Sequence, residues 1–128
     1  MKTLHLNLER KWFEMILKEI KKDEYREIKP HYVSLLFDYK QSGMHRDRFT
    51  SSLMEDDHFL KVYAQELIKN YDTITFSNGY AIDRDWFVIE FRFLAIINIA
   101  MPEWGGKPGE KTFALNMGKI LSVNGIKL

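Results

Sequence analysis

The stretch from Trp86 to Ile99 restricts the possible folds of this chain more than any other feature. It is rich in β-branched and aromatic residues, which favours one long, bent strand or two strands in series. The apolar run, extended to Met101, is about 16 residues long and contains Glu90 and Arg92, so it is too short and too polar to span a bilayer. A strand of this length is typical of a barrel wall.

Strand and helix periodicities alternate along the rest of the chain. Apolar residues at every second position indicate strands, and apolar residues spaced three and four apart indicate amphipathic helices. Strands are predicted at 4–8, 22–28, 73–76, 113–117 and 120–123, and helices at 9–20, 31–39 and 59–70. Together with the long strand, these elements predict an α+β domain with a small curled sheet.

The segment from Lys40 to about Asp57 has no sustained period, and its Gly, Ser, Thr and mixed charge predict a long loop. Two interpretations of this loop stay open. The sequence from His45 to Arg48 is either a basic arm that orders on nucleic acid or an ordinary solvated loop.

Composition limits the kinds of chemistry that are available. The chain of 128 residues is 45% hydrophobic and lacks a linker or a repeat, which predicts one domain over residues 1–128. The chain has no cysteine, which excludes thiol nucleophiles, disulfide scaffolds and Cys-ligated metals. The four histidines have no metal-ligand spacing, so we predict neither a metal nor another cofactor.

Charge and the N-terminal sequence bear on partners and location. The net charge of +1 does not predict a protein that coats a polyanion, although the segment from Gly105 to Leu128 carries four lysines and one acid. Lys107 and Lys111 of that segment are candidate phosphate contacts. The N-terminus lacks an apolar export signal, which predicts a cytoplasmic protein without membrane association. The oligomeric state is left open.

Lys21, Glu24 and Arg26 form a charged triplet at the exit of the first predicted helix. The alternation of the following strand places Glu24 and Arg26 on one face, next to Lys21. Two cations with a carboxylate between them can hold a phosphate and the edge of a base or ribose. The alternative is a surface ion pair that contributes about 0–1 kcal/mol.

The segment from Glu19 to Arg26 resembles the GxKxxExR motif of ASCH (activating signal cointegrator homology) domains, which belong to the PUA-like superfamily of small β-barrels. Glu19 stands where the motif has glycine. Further similar segments follow in the order that such domains show. They are Lys11 to Phe13, Phe76 to Tyr80, Trp104-Gly105 and Phe113 to Leu121. The resemblance covers about four-fifths of the chain and leaves residues 40–57 as an insertion.

The resemblance implies a PUA-like barrel of about five to six strands with two to three flanking helices. It also implies a cleft between the first helix and the barrel that binds RNA or a nucleotide-like ligand. The expected ligand-binding residues are Lys21, Glu24, Arg26, Trp12, Asn78 and Tyr80. Trp12, Tyr25, Tyr80 and Trp104 are candidates for stacking against a base.

Two other functions remain open from the sequence. Some members of the family hydrolyse modified nucleosides or cut RNA, and the resemblance carries Lys21 over as a catalytic candidate. The threonine nucleophile of the amidohydrolase members is replaced by Glu24, so Glu24 would have to serve as a general base. The third hypothesis is a protein-interaction module, which predicts an exposed apolar patch around Phe49, Leu53 and Met54.

Overall fold

The computed structural model describes residues 2–128 and contains helices packed against one mixed sheet. The strands are β1 (Thr3–Leu8), β2 (Asp23–Arg26), β3 (Thr73–Asn78), β4 (Trp86–Ile97), β5 (Thr112–Val123) and β6 (Ile126–Lys127). The α-helices are α1 (Arg10–Leu17), α2 (Pro30–Leu36), α3 (Arg46–Glu55) and α4 (Phe59–Val62), and short 3-10 helices lie at Tyr39–Ser42, Ala64–Leu67 and Pro102–Trp104. No helix within residues 2–128 has the length and apolarity that crossing a membrane requires.

The sheet has the strand order β1-β3-β4-β5-β2, with β6 paired to β5. The β1–β3 pair is parallel and the others are antiparallel. Register shifts between Val88 and Phe93 interrupt the β4–β5 ladder, and such bulges bend and twist long strands. The sheet therefore curls into a half-barrel with flanking helices, which confirms the predicted α+β class and small barrel.

The core lies between the concave face of the sheet and the helices. Leu4, Leu6 and Leu8 of β1 are buried, as their alternation predicts. The amphipathic helix α1 contributes Phe13, whose ring packs edge-on against Phe87 of β4 at a centroid distance of 4.9 Å. This packing fixes α1 across the sheet next to the ends of β1 and β2, where the charged triplet lies.

The prediction of a loop over residues 40–57 is wrong. Residues Arg46–Glu55 form α3, and His45 begins the helix because its Nδ1 accepts a hydrogen bond from the Asp47 amide. Phe49 and Leu53 are buried in the core, and of the predicted apolar patch only Met54 is exposed. The segment is helical because four-residue spacing brings its two large apolar side chains to one face.

Three further details differ from the sequence predictions. The helix expected at 59–70 consists of α4 and the 3-10 helix Ala64–Leu67, and the two expected strands at the C-terminus are continuous as β5. The alternation of Phe87, Ile89, Phe91 and Phe93 along one side of the long strand predicts four core residues, but Phe93 is 55% exposed. The register shifts between Val88 and Phe93 change which face the following side chains occupy, so simple alternation fails there.

Glu19, which stands where the motif of the resemblance has glycine, takes the left-handed conformation, with φ of 62°. A side chain in this region is strained, because Cβ approaches the following carbonyl oxygen. The chain makes the tight exit from α1 all the same, and the amides of Ile20 and Lys21 both donate to the Met15 carbonyl. The turn delivers Lys21 to the sheet edge without glycine.

We expect Glu19→Gly to raise the free energy of unfolding by about 0.5–1 kcal/mol, since glycine adopts positive φ without this strain. The measurement is urea denaturation followed by circular dichroism. Lys18→Gly is the matched control, because Lys18 has φ of −84° and gains nothing from glycine. The control variant should be equally or less stable than the parent, by up to about 1 kcal/mol. If both variants lost the same free energy of unfolding, the result would contradict backbone strain at Glu19.

Candidate functional site

Arg26 joins the two edge strands of the curled sheet. It lies at the end of β2, and its Nη2 donates to the Asn7 carbonyl of β1 at 2.9 Å. Strands β1 and β2 are the two ends of the sheet order and do not pair with each other. The Arg26 side chain therefore bridges a seam that backbone hydrogen bonds leave open, and a cleft forms along this seam.

Glu24 is the centre of a nearly buried array of charges. Its Oε1 lies 3.1 Å from Lys21 Nζ, and its Oε2 lies 2.7 Å from Arg26 Nη2. Arg26 Nε also donates to Glu24 Oε2 at 2.9 Å. The structure thus brings together the three residues that the sequence singled out. They are not a surface ion pair, since Lys21 is 2% and Glu24 5% exposed.

Lys21 lies behind the wall of the cleft. Its Nζ donates to the Trp104 carbonyl at 2.6 Å and lies 5.1 Å from the centroid of the Trp12 ring and 4.9 Å from that of Tyr25. Desolvation by burial lowers the pKa of the Lys21 ammonium below its ordinary value, and the attraction of Glu24 offsets part of this effect. The aromatic faces and the Trp104 carbonyl replace water around the ammonium.

Arg26 is held in place and keeps part of its hydrogen-bonding capacity. Three contacts within the protein use its N–H groups, to Glu24, to Asn7 and, through Nη1, to the Tyr32 hydroxyl at 3.1 Å. A guanidinium has five N–H donors. Because Nη2 also lies 2.7 Å from Glu24 Oε2, one N–H, on Nη1, remains for a ligand. Burial opposes the charge of Arg26, but Glu24 and Tyr32 outweigh this and raise the pKa of the guanidinium.

The array carries one positive charge in excess, because the two cations Lys21 and Arg26 share the single carboxylate Glu24. Charges in such a poorly hydrated place are weakly screened. An anion that reaches Arg26 is therefore attracted by a field that salt in solution reduces less than it does at an exposed lysine.

The cleft above the array has a volume of about 890 Å³ and is open to solvent. Glu24 and Arg26 lie at its floor, and the half-buried Trp12 of α1 forms one wall. Trp12 is held by the loop after the 3-10 helix, since a Cβ on Gly105 would lie 3.0 Å from its ring. Sites for small ligands in proteins are commonly about 300–1,000 Å³, so the cleft has the volume of such a site.

Three lysines lie along the rim of the cleft. Lys29 is near Glu27, with 3.5 Å between Nζ and Oε2. Lys111 contacts the Asp57 carboxylate and donates to the Met54 carbonyl at the end of α3. Lys107 is exposed and, within residues 2–128, has no acidic partner. It is therefore the rim cation with the fewest competing contacts for a phosphate.

Asn78 and Tyr80, which the resemblance suggested as ligand-binding residues, do not line the cleft. Asn78 ends β3 and pairs with Leu8, while Tyr80 is 84% exposed in the following connection. Neither is among the residues that line the cleft. Asn78 lies on the side of β1 that pairs with β3. The cleft lies on the other side of β1, which faces β2.

Tyr32 and Asn7 belong to the site, although no sequence pattern indicates either residue. Tyr32 lies on α2, and its hydroxyl accepts a hydrogen bond from Arg26. Asn7 contributes only its backbone carbonyl, which any residue at this position would supply.

A scan against protein-family models and searches of the curated proteins and the solved structures found no match for this chain. The case for a function is thus made from the geometry of the cleft.

Proposed function

We propose that the cleft binds single-stranded RNA or a nucleotide, with a base against Trp12 and a phosphate near Arg26 and Lys107, in the manner of an ASCH domain. The observation that carries the proposal is the excess positive charge of the Lys21, Glu24 and Arg26 array beneath an open cleft with an aromatic wall. Stacking of a base on an aromatic side chain contributes about 1–3 kcal/mol.

Binding agrees better with the contacts of the array than hydrolysis does. A general base needs an oxygen that can accept a proton from water. Both oxygens of Glu24 are in contact with cations, at 3.1 Å from Lys21 and 2.7 Å from Arg26. Lys21 points into the aromatic wall and the Trp104 carbonyl rather than into the cleft. The array is thus built to hold Arg26 in place, which is what an anion-binding residue requires.

We expect Lys107→Ala to weaken binding of a fluorescein-labelled ten-nucleotide RNA of mixed sequence and to reduce the salt dependence of the affinity. For single strands, each lost phosphate contact removes about 0.7 from the slope of log K against log salt concentration. Fluorescence anisotropy between about 50 and 200 mM salt measures both quantities. Lys107 is exposed, so its removal should leave the fold intact.

Lys127→Ala is the matched control, because Lys127 is an exposed lysine of β6 outside the cleft. For this variant, the slope of log K against log salt concentration should equal that of the parent protein. Trp12→Ala should lower the affinity about fivefold or more at every salt concentration without changing the slope, since stacking releases no counterions. Equal slopes for the Lys107 and Lys127 variants, or parent affinity in the Trp12 variant, would rule out the proposed mode of binding. Cytidine 5′-monophosphate, titrated in parallel, shows whether one nucleotide suffices.

A further inference from the structure

One half of β4 has a free hydrogen-bonding edge. Strand β3 pairs with β4 only from Trp86 to Glu90, and the last contact on that side is the Phe91 amide, which donates to the Asp72 carbonyl at 3.0 Å. From Phe93 to Ile97, β4 pairs with β5 alone. Within residues 2–128, the backbone groups of this half have no hydrogen-bond partner on the side that β3 has left.

A groove of about 410 Å³ runs along this edge. One side is formed by Leu94–Asn98, and the other by α4 and the 3-10 helix that follows, through Leu60, Lys61 and Gln65. Leu53 of α3 also lines the groove, so Leu53, Leu60 and Leu94 make part of its wall apolar, while Asp56, Asp57 and Lys111 make another part charged. The groove is separate from the cleft, and Lys111 lines both.

The segment that forms the free edge lacks the sequence features with which proteins normally prevent strand addition. Edge strands are commonly protected by lysine, proline or a bulge. The segment Phe93–Ile97 has the sequence FLAII, with no charge and no proline, and the register shifts of β4 end at Phe93. Phe93 is 55% exposed. An apolar, regular edge of this kind is a template for another strand.

We propose that this groove binds an extended peptide, which adds to the sheet as a strand beside Phe93–Ile97. The unpaired amides and carbonyls specify the occupant, because an extended backbone supplies acceptors and donors at the same spacing. Side chains on alternate residues of the peptide would enter the apolar part of the groove near Leu53 and Leu60, so the peptide has an apolar residue at every second position.

A second copy of the chain fits the groove less well than a single strand does. The far side of the groove is closed by α4 and the 3-10 helix Ala64–Leu67. The β4 edge of another copy would bring its own α4 against this wall, because the two segments lie side by side in each copy. One peptide strand needs only about 4.8 Å beside β4.

The test uses a capped peptide of eight residues, with alternating valine and threonine between terminal lysines, and NMR titration of the full chain. We expect the largest amide shifts at 92–98 and in α4, with none at Glu24 and Arg26. Two further peptides carry N-methyl groups on one or the other set of alternate residues, which removes N–H donors and keeps the side chains. Only the set that faces β4 should lose affinity, by about tenfold for two hydrogen bonds.

Leu60→Glu tests the protein side, because it places a charge in the apolar part of the groove, and it should abolish the shifts at 92–98 while circular dichroism stays unchanged. If that variant unfolds, the affinities of the two N-methylated peptides for the parent protein still show whether the peptide pairs with β4. Equal affinity of these two peptides, the absence of shifts at millimolar peptide, or a chain that dimerises through 92–97 would each overturn the proposal. RNA binding in the cleft is measured separately and does not affect the outcome.

Discussion

Glu24→Gln should lower the free energy of unfolding by about 3–5 kcal/mol at pH 7, the loss expected when one partner of a buried ion pair is removed. Glu24 is the single carboxylate between Lys21 and Arg26. Glutamine keeps the shape of the side chain but leaves two nearly buried cations close together without a countercharge. Urea denaturation followed by tryptophan fluorescence measures the difference in free energy of unfolding.

Glu27→Gln is the matched control for this variant. Glu27 lies three residues along the same segment and pairs with Lys29 at 3.5 Å, but its side chain is 77% exposed. An exposed pair of this kind contributes about 0–1 kcal/mol. If the Glu24 and Glu27 variants unfold at the same urea concentration, the array does not stabilise the seam between β1 and β2, and Arg26 is not held by Glu24.

The pH dependence of the Glu24 variant separates lost charge pairing from a general packing defect. The pKa of Lys21 is lower in the folded than in the unfolded state, so the unfolded chain binds more protons between the two pKa values and stability rises with pH in that interval. Glu24 raises the pKa of Lys21. Without Glu24 the pKa of Lys21 in the folded state falls further. The deficit of the variant should therefore shrink with rising pH, below 10.5, as the Lys21 ammonium of the folded parent also loses its proton. A packing defect would leave a constant deficit.

The convergence of the triplet follows from local sequence, whereas its burial does not. Glu24 and Arg26 lie two residues apart on one strand, so the alternation alone places them together. Lys21 joins them because the turn at Glu19 is tight. The Trp104 carbonyl that holds Lys21 comes from a segment 83 residues further along the chain. No pattern around Lys21 indicates that it lies behind an aromatic wall.

The exposure of Phe93 is a second feature that local sequence does not predict. Period-two alternation predicts the inward face of β4 as far as Ile89, and Phe87 and Ile89 are buried accordingly. Two of the register shifts that follow add an extra residue on β5, and the third, between Phe91 and Phe93, adds one on β4, where the phase of the alternation is lost. Where a bulge falls depends on the curvature of the whole sheet, which is a property of strands distant in sequence.

Phe49→Ala should lower the free energy of unfolding by about 3–5 kcal/mol, the usual loss when a buried phenylalanine is truncated. Phe49 is completely buried, and its ring lies 5.3 Å from that of Phe37 and 5.2 Å from that of Phe59. It therefore joins α3 to the chain on either side. Methionine 54 on the same helix is 43% exposed, so Met54→Ala is the control and should change stability by less than about 0.5 kcal/mol.

The same pair of variants decides whether residues 40–57 are part of the folding unit or an appendage to it. The carbonyl of Met54, at the end of α3, accepts from Lys111 at the rim of the cleft. If α3 is integral to the fold, Phe49→Ala loosens this contact, and hydrogen exchange accelerates at 46–57 and near Lys111 in one cooperative unit. If α3 were an appendage, Phe49→Ala would unfold this helix alone, and the urea midpoint for unfolding of the sheet would stay unchanged. The burial of Phe49 between Phe37 and Phe59 favours the first result, because a cavity there is shared by α2, α3 and α4.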